Sequence, residues 1–338
     1  MRVFRMFLGT ALILLASTTT REVQISLAQA DCTIIVQPGQ SLQKAIDSAP
    51  EGAVVCLTEG TWEEGDIRIT KGITLRGAGR YKTKLALQEE SLAIFSISQS
   101  PVSLERLSIT HGGFLANVWI VGAKVNIFES QISSGGEVGI FIVGSEDVTI
   151  VGSQVSNNEG YGIYMQEPGQ ITIMNSQISD NGGGIFMLNL YGGLGGRPIK
   201  ATIINSQITG NGGSGLTLAG VGGAEAQAEI KNSLIYKNGV SEKCKKKESV
   251  CDGITVYWQS YVKLISSKIL SNAHWGVRAS LKQCGFPYDS FGGQVIFEAM
   301  ELSDISGNNT MGNQDGLGNP GNHPWSRPDV PDGQVCLP

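Results

Sequence analysis

The sequence predicts an all-β solenoid, one elongated domain of about nine stacked coils with three short strands in each. Three observations carry that expectation. A Ser-centred tetrapeptide returns as SQIS at 130–133, SQVS at 153–156, SQIS at 176–179 and SQIT at 206–209, with weaker copies at 105, 233, 267 and 303. An asparagine stands five residues after the Ser in six copies, at Asn158, Asn181, Asn211, Asn238, Asn272 and Asn308. A Gly-apolar pair then follows, as in Gly139-Ile140, Gly162-Ile163, Gly184-Ile185, Gly215-Leu216, Gly253-Ile254 and Gly276-Val277.

Composition agrees with the repeat. Glycine accounts for 45 of 338 residues and charged residues for 16%, whereas a helical bundle or coiled coil needs more charge and less glycine. A hydrophobic content of 41% leaves ample apolar surface to bury, which argues against disorder. The net charge of −5, with its one basic run at 245–247, argues against nucleic acid as a partner.

From the N-terminus, Arg2 and Arg5 precede an apolar run over 6–16, and Ala28-Gln29-Ala30 has the small-x-small pattern of a cleavage site. Residues 1–30 are therefore expected to be a secretory signal peptide, whose removal would leave a charge of −7, and the run is too short for a transmembrane segment. An exported chain with an even six cysteines favours disulfides over metal ligands, and no CxxC spacing suggests structural zinc. Cys244 with Cys251, Cys32 with Cys56, and Cys284 with Cys336 are the pairings considered, among 15 possible connectivities.

Ser41 can cap a short helix over 41–49 whose Leu42, Ala45, Ile46 and Ala49 form one apolar face. Such a helix would close the open end of the core over residues that otherwise expose strand edges. Beyond it, each unit contains an apolar residue three before the Ser, such as Ile127, Ile150, Ile173, Ile203, Ile230 and Leu264. A unit of this size cannot bury its own apolar face, but stacking yields a continuous core and three parallel sheets. Asparagine suits the recurrent turn because it tolerates the left-handed conformation and can hydrogen-bond from coil to coil. The coils are expected to span 31–310, with a Gly/Pro-rich tail over 311–338.

On these motifs the chain resembles the pectin-lyase-like superfamily, including the carbohydrate-binding, sugar-hydrolase and NosD-type repeats. The resemblance covers roughly residues 33–310, and SLQKAIDSAPEGAVVCLTEGTW at 41–62 with ITLRGAG at 73–79 is similar to the opening of pectin methylesterases. It implies a single-stranded right-handed parallel β-helix with an N-terminal capping helix. The catalytic strings of methylesterases, polygalacturonases and pectate lyases are absent, and GFPYD at 285–289 lacks the histidine and first aspartate of the epimerase DPHD motif.

In the superfamily, substrates lie over one sheet, flanked by variable loops. Here that sheet precedes the Ser, and the long inserts at 189–199, 219–227 and 280–293 flank it. Its outward column, four residues before the Ser, runs Asn126, Thr149, Thr172, Thr202, Glu229 and Lys263. Tyr257, Trp258 and Tyr261 enter the coil where the column becomes charged, and His274 and Arg278 lie one coil on. Aromatic faces stack on sugar rings and a guanidinium holds a carboxylate, so a polysaccharide partner is expected, with Tyr257, Trp258, Tyr261 and Glu229 binding it.

Three functional readings follow: a secreted, monomeric carbohydrate-binding protein, a uronate lyase or epimerase, and a non-catalytic structural or adhesive envelope protein. In the second, Lys263 or His274 would be the base and Arg278 would neutralise the carboxylate. Glu229 and Lys263, about 4.8 Å apart on neighbouring strands, also suit an ordinary ion pair. A further column, Phe141, Tyr164 and Phe186, reads as a sheet-stabilising ladder or as a glycan platform. No cofactor is expected. Glu146, Asp147 and Glu167 are candidate calcium ligands or an acid and base pair if not simply solvated loop acids, and His111 and His323 are isolated.

Overall fold

The computed structural model describes residues 31–87, 92–111, 115–145, 147–190, 196–245, 251–279, 294–298, 304–306 and 335–336. The expected signal peptide, Glu146, Cys284, His323 and the GFPYD segment lie outside the described residues.

Among the described residues, thirty-one strands form three all-parallel sheets of eleven, ten and ten strands. Each coil contributes one strand to each sheet in turn, designated A, B and C in chain order, so ten coils follow an extra first strand, Ile34–Val36. The count exceeds the expected nine because the earliest coils lack the Ser-Asn signature. At the other end, Val335–Cys336 pair with Val277–Ala279, so the end of the expected tail also contributes a strand.

Alternation sets the core. In Lys124–Phe128, Val125 and Ile127 are buried while Lys124 is exposed and Asn126 and Phe128 are half-buried, and the pattern recurs in Asp147–Val151. Inward Val, Ile and Leu stack on their counterparts in successive coils into one continuous core. Each such side chain contributes about 1.5–3 kcal/mol by leaving water.

The repeated serine works as a hydrogen-bonding corner between sheets A and B. The hydroxyls of Ser153, Ser176, Ser206 and Ser233 accept from the backbone N–H of the Ser one coil earlier at 3.1 Å. Each also donates to the carbonyl two residues before it, at 2.7–2.9 Å. Every hydroxyl therefore answers two buried backbone groups that the turn leaves unpaired.

The repeated asparagine does the same between sheets B and C. Asn158, Asn181, Asn211, Asn238 and Asn272 are at most 3% exposed. Their amides chain from coil to coil at 2.7–3.0 Å. The left-handed conformation belongs to the preceding residue, Asn157, Asp180, Gly210, Lys237 or Ser271, so the ladder rather than the backbone angle requires Asn. The Gly-apolar pair completes the device: a Cβ on Gly162 or Gly215 would stand 2.7–2.8 Å from the next coil's Asn amide nitrogen. Where the ladder position holds Gly135, the amide of Asn117 fills in, donating to Asn158 at 3.1 Å.

The capping helix spans Leu42–Ser48, with Ser41 as its N-cap. Leu42, Ile46 and Ala49 are buried and Ala45 packs against the core. Glu64, from the next strand connection, accepts from the backbone N–H of Leu42 and Gln43 and from the Ser41 hydroxyl at 2.6–3.1 Å. A carboxylate on the unpaired N–H groups of a first turn is favourable by charge and by hydrogen bonding. Cys244 and Cys251 form a disulfide, and Cys32 and Cys56 are each disulfide-bonded.

Candidate functional site

Sheet A has the outward column expected of it. Asn126, Thr149, Thr172, Thr202, Glu229 and Lys263 are in register on six successive strands. Two residues further along each strand, a second column changes from apolar Val151, Met174 and Ile204 to Lys231. Both columns acquire charge in the coil of Glu229 and Lys231, and in the next coil, that of Lys263, the second is apolar again at Ile265.

Those coils also receive the aromatic cluster. The turn from sheet C to sheet A is left-handed at Gly122, Gly144 and Glu167, and again at Trp258, with φ of +50°. Trp258 is in register with Gly220, and a bulky side chain in this conformation costs about 1–2 kcal/mol relative to an ordinary backbone. The rings of Tyr257 and Trp258 lie 5.3 Å apart at 36°. Three residues past Trp258, the Tyr261 hydroxyl donates to Gln227 Oε1 at 2.8 Å, and Gln227 Nε2 donates to Glu225 at 2.6 Å. Tyr257, Trp258, Tyr261 and Lys263 are half-buried, while Glu229 is exposed. Arg197, Lys200 and Lys231, all exposed, come from the same strands and their leading turns. With Lys263 they make four cations against the carboxylates of Glu225 and Glu229.

His274 and Arg278 are located elsewhere. Arg278 is on sheet C, opposite Thr255, and His274 is in the turn from sheet B to sheet C, whereas Lys263 is on sheet A. Arg278 Nη2 donates to Asp252 Oδ1 at 2.9 Å, with side-chain exposures of 8% and 0%. Asp252 also accepts from the Thr255 hydroxyl at 2.8 Å and from Trp275 N–H at 3.1 Å, and its own N–H donates to Ser214. His274 is buried, its Nε2 3.2 Å from the carbonyl of disulfide-bonded Cys244. These two side chains are thus engaged in holding the insert that ends at Cys251, and Asp252 is the partner that sequence reasoning missed. Its signal was an acid directly before a Gly-apolar pair, where other coils carry Val138, Tyr161, Gly183, Ser214 or Trp275.

Sheet C carries the aromatic column, extended by Trp119. Successive ring centroids from Trp119 through Phe141 and Tyr164 to Phe186 are 5.7, 5.1 and 5.2 Å apart, and Tyr161 stacks on Phe186 at 5.1 Å and 15°. Burial pushes the Tyr161 and Tyr164 phenols above their ordinary value of 10.0, and Tyr161 adds to the rise at Tyr164. The unfolded chain then ionises first, so this contribution to stability is whole below pH 10.0 and lost as pH climbs through the raised folded values. In a spectrophotometric titration, Tyr161→Phe should remove a late-ionising phenol. The late step should shrink to that of Tyr164 alone, and a late step of undiminished amplitude would contradict the assignment.

Among the described residues no group of three His, Cys, Asp or Glu side chains could hold a metal ion. Asp147 pairs with Lys124 at 3.0 Å. No described helix is long and apolar enough to cross a membrane.

Comparison with known proteins agrees with this architecture. Residues 72–220 match the family model described as "Right handed beta helix region". No curated protein matches the chain. An alginate lyase from Paenibacillus sp. str. FPU-7 superposes with a TM-score of 0.55 at 17% identity, over 82% of this chain and 99% of that one. Pectate lyase Pel9A gives 0.49 at 13% identity, over 81% and 75%. The A-module of Azotobacter vinelandii mannuronan C-5 epimerase AlgE4 gives 0.41 at 17%, over 80% and 84%. Likeness at these identities is one of fold: the three parallel sheets and the matched region make the chain a right-handed parallel β-helix protein.

Proposed function

We propose that this chain is an exported carbohydrate-binding protein whose ligand is an acidic polysaccharide, held against the C-terminal half of sheet A. The observation that carries the reading is Trp258. A bulky aromatic occupies a left-handed corner where Gln99, Gly122, Gly144 and Glu167 stand in earlier coils, and its ring lies beside Tyr257. Strain of this kind persists where a side chain is needed at that spot.

The neighbouring chemistry fits a uronate chain. Tyr257, Trp258 and Tyr261 offer ring faces to pyranose C–H surfaces, while Arg197, Lys200, Lys231 and Lys263 supply positive charge at one end of a chain whose net charge is −5. Rows of threonine along the rest of sheet A would meet sugar hydroxyls. Export is supported by the Cys244–Cys251 disulfide, a bond kept in oxidising compartments. The Paenibacillus structure, whose name is that of an alginate lyase, lends the reading a precedent on the same fold.

Affinity electrophoresis in gels containing alginate or polygalacturonate tests this. Retardation should be saturable and should weaken with added salt, because exposed charge pairs are screened over about 10 Å at 0.1 M. Lys263→Gln with Lys200→Gln should reduce it further. Migration unaffected by either polymer would refute the proposal.

A further inference from the structure

A second surface, along the corner that follows the sheet A strands, is shaped to bind something. Along the turn from sheet A to sheet B runs a cleft of about 360 Å³ that continues into another of about 320 Å³, the two sharing Asn205 and Gln207. One wall is the outward column of sheet B, where Gln154, Gln177 and Gln207 are in register on successive strands. The other is the corner itself, where Asn175, Asn205 and Asn232 each have φ of +49°.

The floor has nothing to offer a ligand, since the hydroxyls of Ser153, Ser176, Ser206 and Ser233 are already spent on the ladder. The walls do. Asn175, Asn205 and Asn232 are exposed, and their amides, with those of Gln154 and Gln207, make no hydrogen bond within the described chain. Gln177 uses only its Nε2, on Ser179 at 3.2 Å. A left-handed corner does not itself demand an amide, because Gly152 holds the same place one coil earlier at φ of +58°. Ionised groups stand only at the two ends. Arg80 closes one end, its guanidinium donating to the carbonyls of Glu129 and Gly152, and Lys268 stands at the other.

We infer that this cleft is a binding site for an uncharged, hydroxyl-rich chain, a neutral polysaccharide lying along the solenoid axis. Each amide presents a donor and an acceptor together, the pair that a sugar hydroxyl answers. Coils about 4.8 Å apart repeat that pair at a pitch comparable with one pyranose of an extended glycan. An acidic chain would find no cation along the cleft between its ends, and a peptide would find Leu234 as its one apolar anchor. The site is independent of the acidic-polymer reading of sheet A.

The test uses the full chain in affinity gels containing hydroxyethylcellulose, xyloglucan or galactomannan, with alginate as the separate arm. The variant Asn175→Gly/Asn205→Gly/Gln207→Ala removes three amides while Gly keeps the left-handed corner, so its thermal midpoint should match the parent's. The parent should be retarded by at least one neutral polymer, and the variant should lose that affinity by at least about tenfold, as loss of several net hydrogen bonds implies, with alginate behaviour unchanged. No retardation of the parent by any neutral polymer, or equal retardation of parent and variant, overturns the inference. Failure with alginate alone would sink only the sheet A proposal. If the triple variant melts lower, Gln154→Ala/Gln207→Ala, which leaves the corner untouched, must show the same loss or the inference falls.

Discussion

Asn211→Ala should lower the unfolding free energy by about 3–5 kcal/mol, because it leaves several buried polar groups without partners at once. Asn211 is completely buried. Its Oδ1 accepts from both the backbone and the side-chain nitrogen of Asn181 at 3.0 Å. Its Nδ2 donates to Asn238 at 2.8 Å and to the Ile178 carbonyl at 3.2 Å. Alanine removes all four bonds and opens a gap in the middle of the ladder. Asn157→Gly is the matched control: its exposed side chain lies outside the ladder, its φ of +56° suits glycine, and the change should stay within about 0.5 kcal/mol. Urea denaturation monitored by circular dichroism separates the two. A small loss for Asn211→Ala would mean that the coils are held by core packing alone.

Asp252→Ala should be comparably damaging, at about 3–5 kcal/mol, for a different reason. It leaves the guanidinium of Arg278 buried without the carboxylate that faces it at 2.9 Å, and it removes the acceptor of Thr255 and of Trp275 N–H. Taking out both charges, as Asp252→Leu/Arg278→Met, should recover a large part of the loss, since a buried pair stabilises little relative to well-packed apolar residues. Thermal melts of the single and double variants measure this coupling. Equal losses would show that the acid acts through its other hydrogen bonds and not through the ion pair.

These two sites also show which parts of the molecule can be read from its sequence. Ser176, Asn181 and Gly184 recur because every coil poses the same local problem: two corners with unpaired backbone groups, and one close approach that admits no Cβ. Repetition therefore exposes them to inspection, and the strand period of two turns the repeat directly into outward columns such as Thr172, Thr202, Glu229 and Lys263. Contacts that occur once have no such signature. Glu64 reaches back to the helix at Ser41, Asn117 supplies the amide that Gly135 lacks, and Asp252 meets Arg278 across a disulfide-bounded insert. For the same reason the aromatic and cationic residues entering sheet A could be grouped by register, but His274 and Arg278 could not be assigned a direction. Their burial depends on an insert that interrupts the repeat. The corner asparagines before each Ser were visible as NSQIS and NSQIT, yet their lack of internal partners needed three-dimensional structure.

The molecule is a regular scaffold with a departure from regularity at Trp258, to which binding is here assigned by proposal. Trp258→Gly tests that assignment most directly, because it restores the residue type that Gly122 and Gly144 have at the same corner. Relief of about 1–2 kcal/mol of backbone strain should roughly offset the lost packing, leaving the melting temperature close to the parent's. Calorimetric titration with polygalacturonate should give saturable binding for the parent and at least about a tenfold weaker affinity for the variant, the scale of a single stacking aromatic. Equal affinity of the two proteins, or a parent that shows no saturable binding to any uronate polymer, would contradict the account.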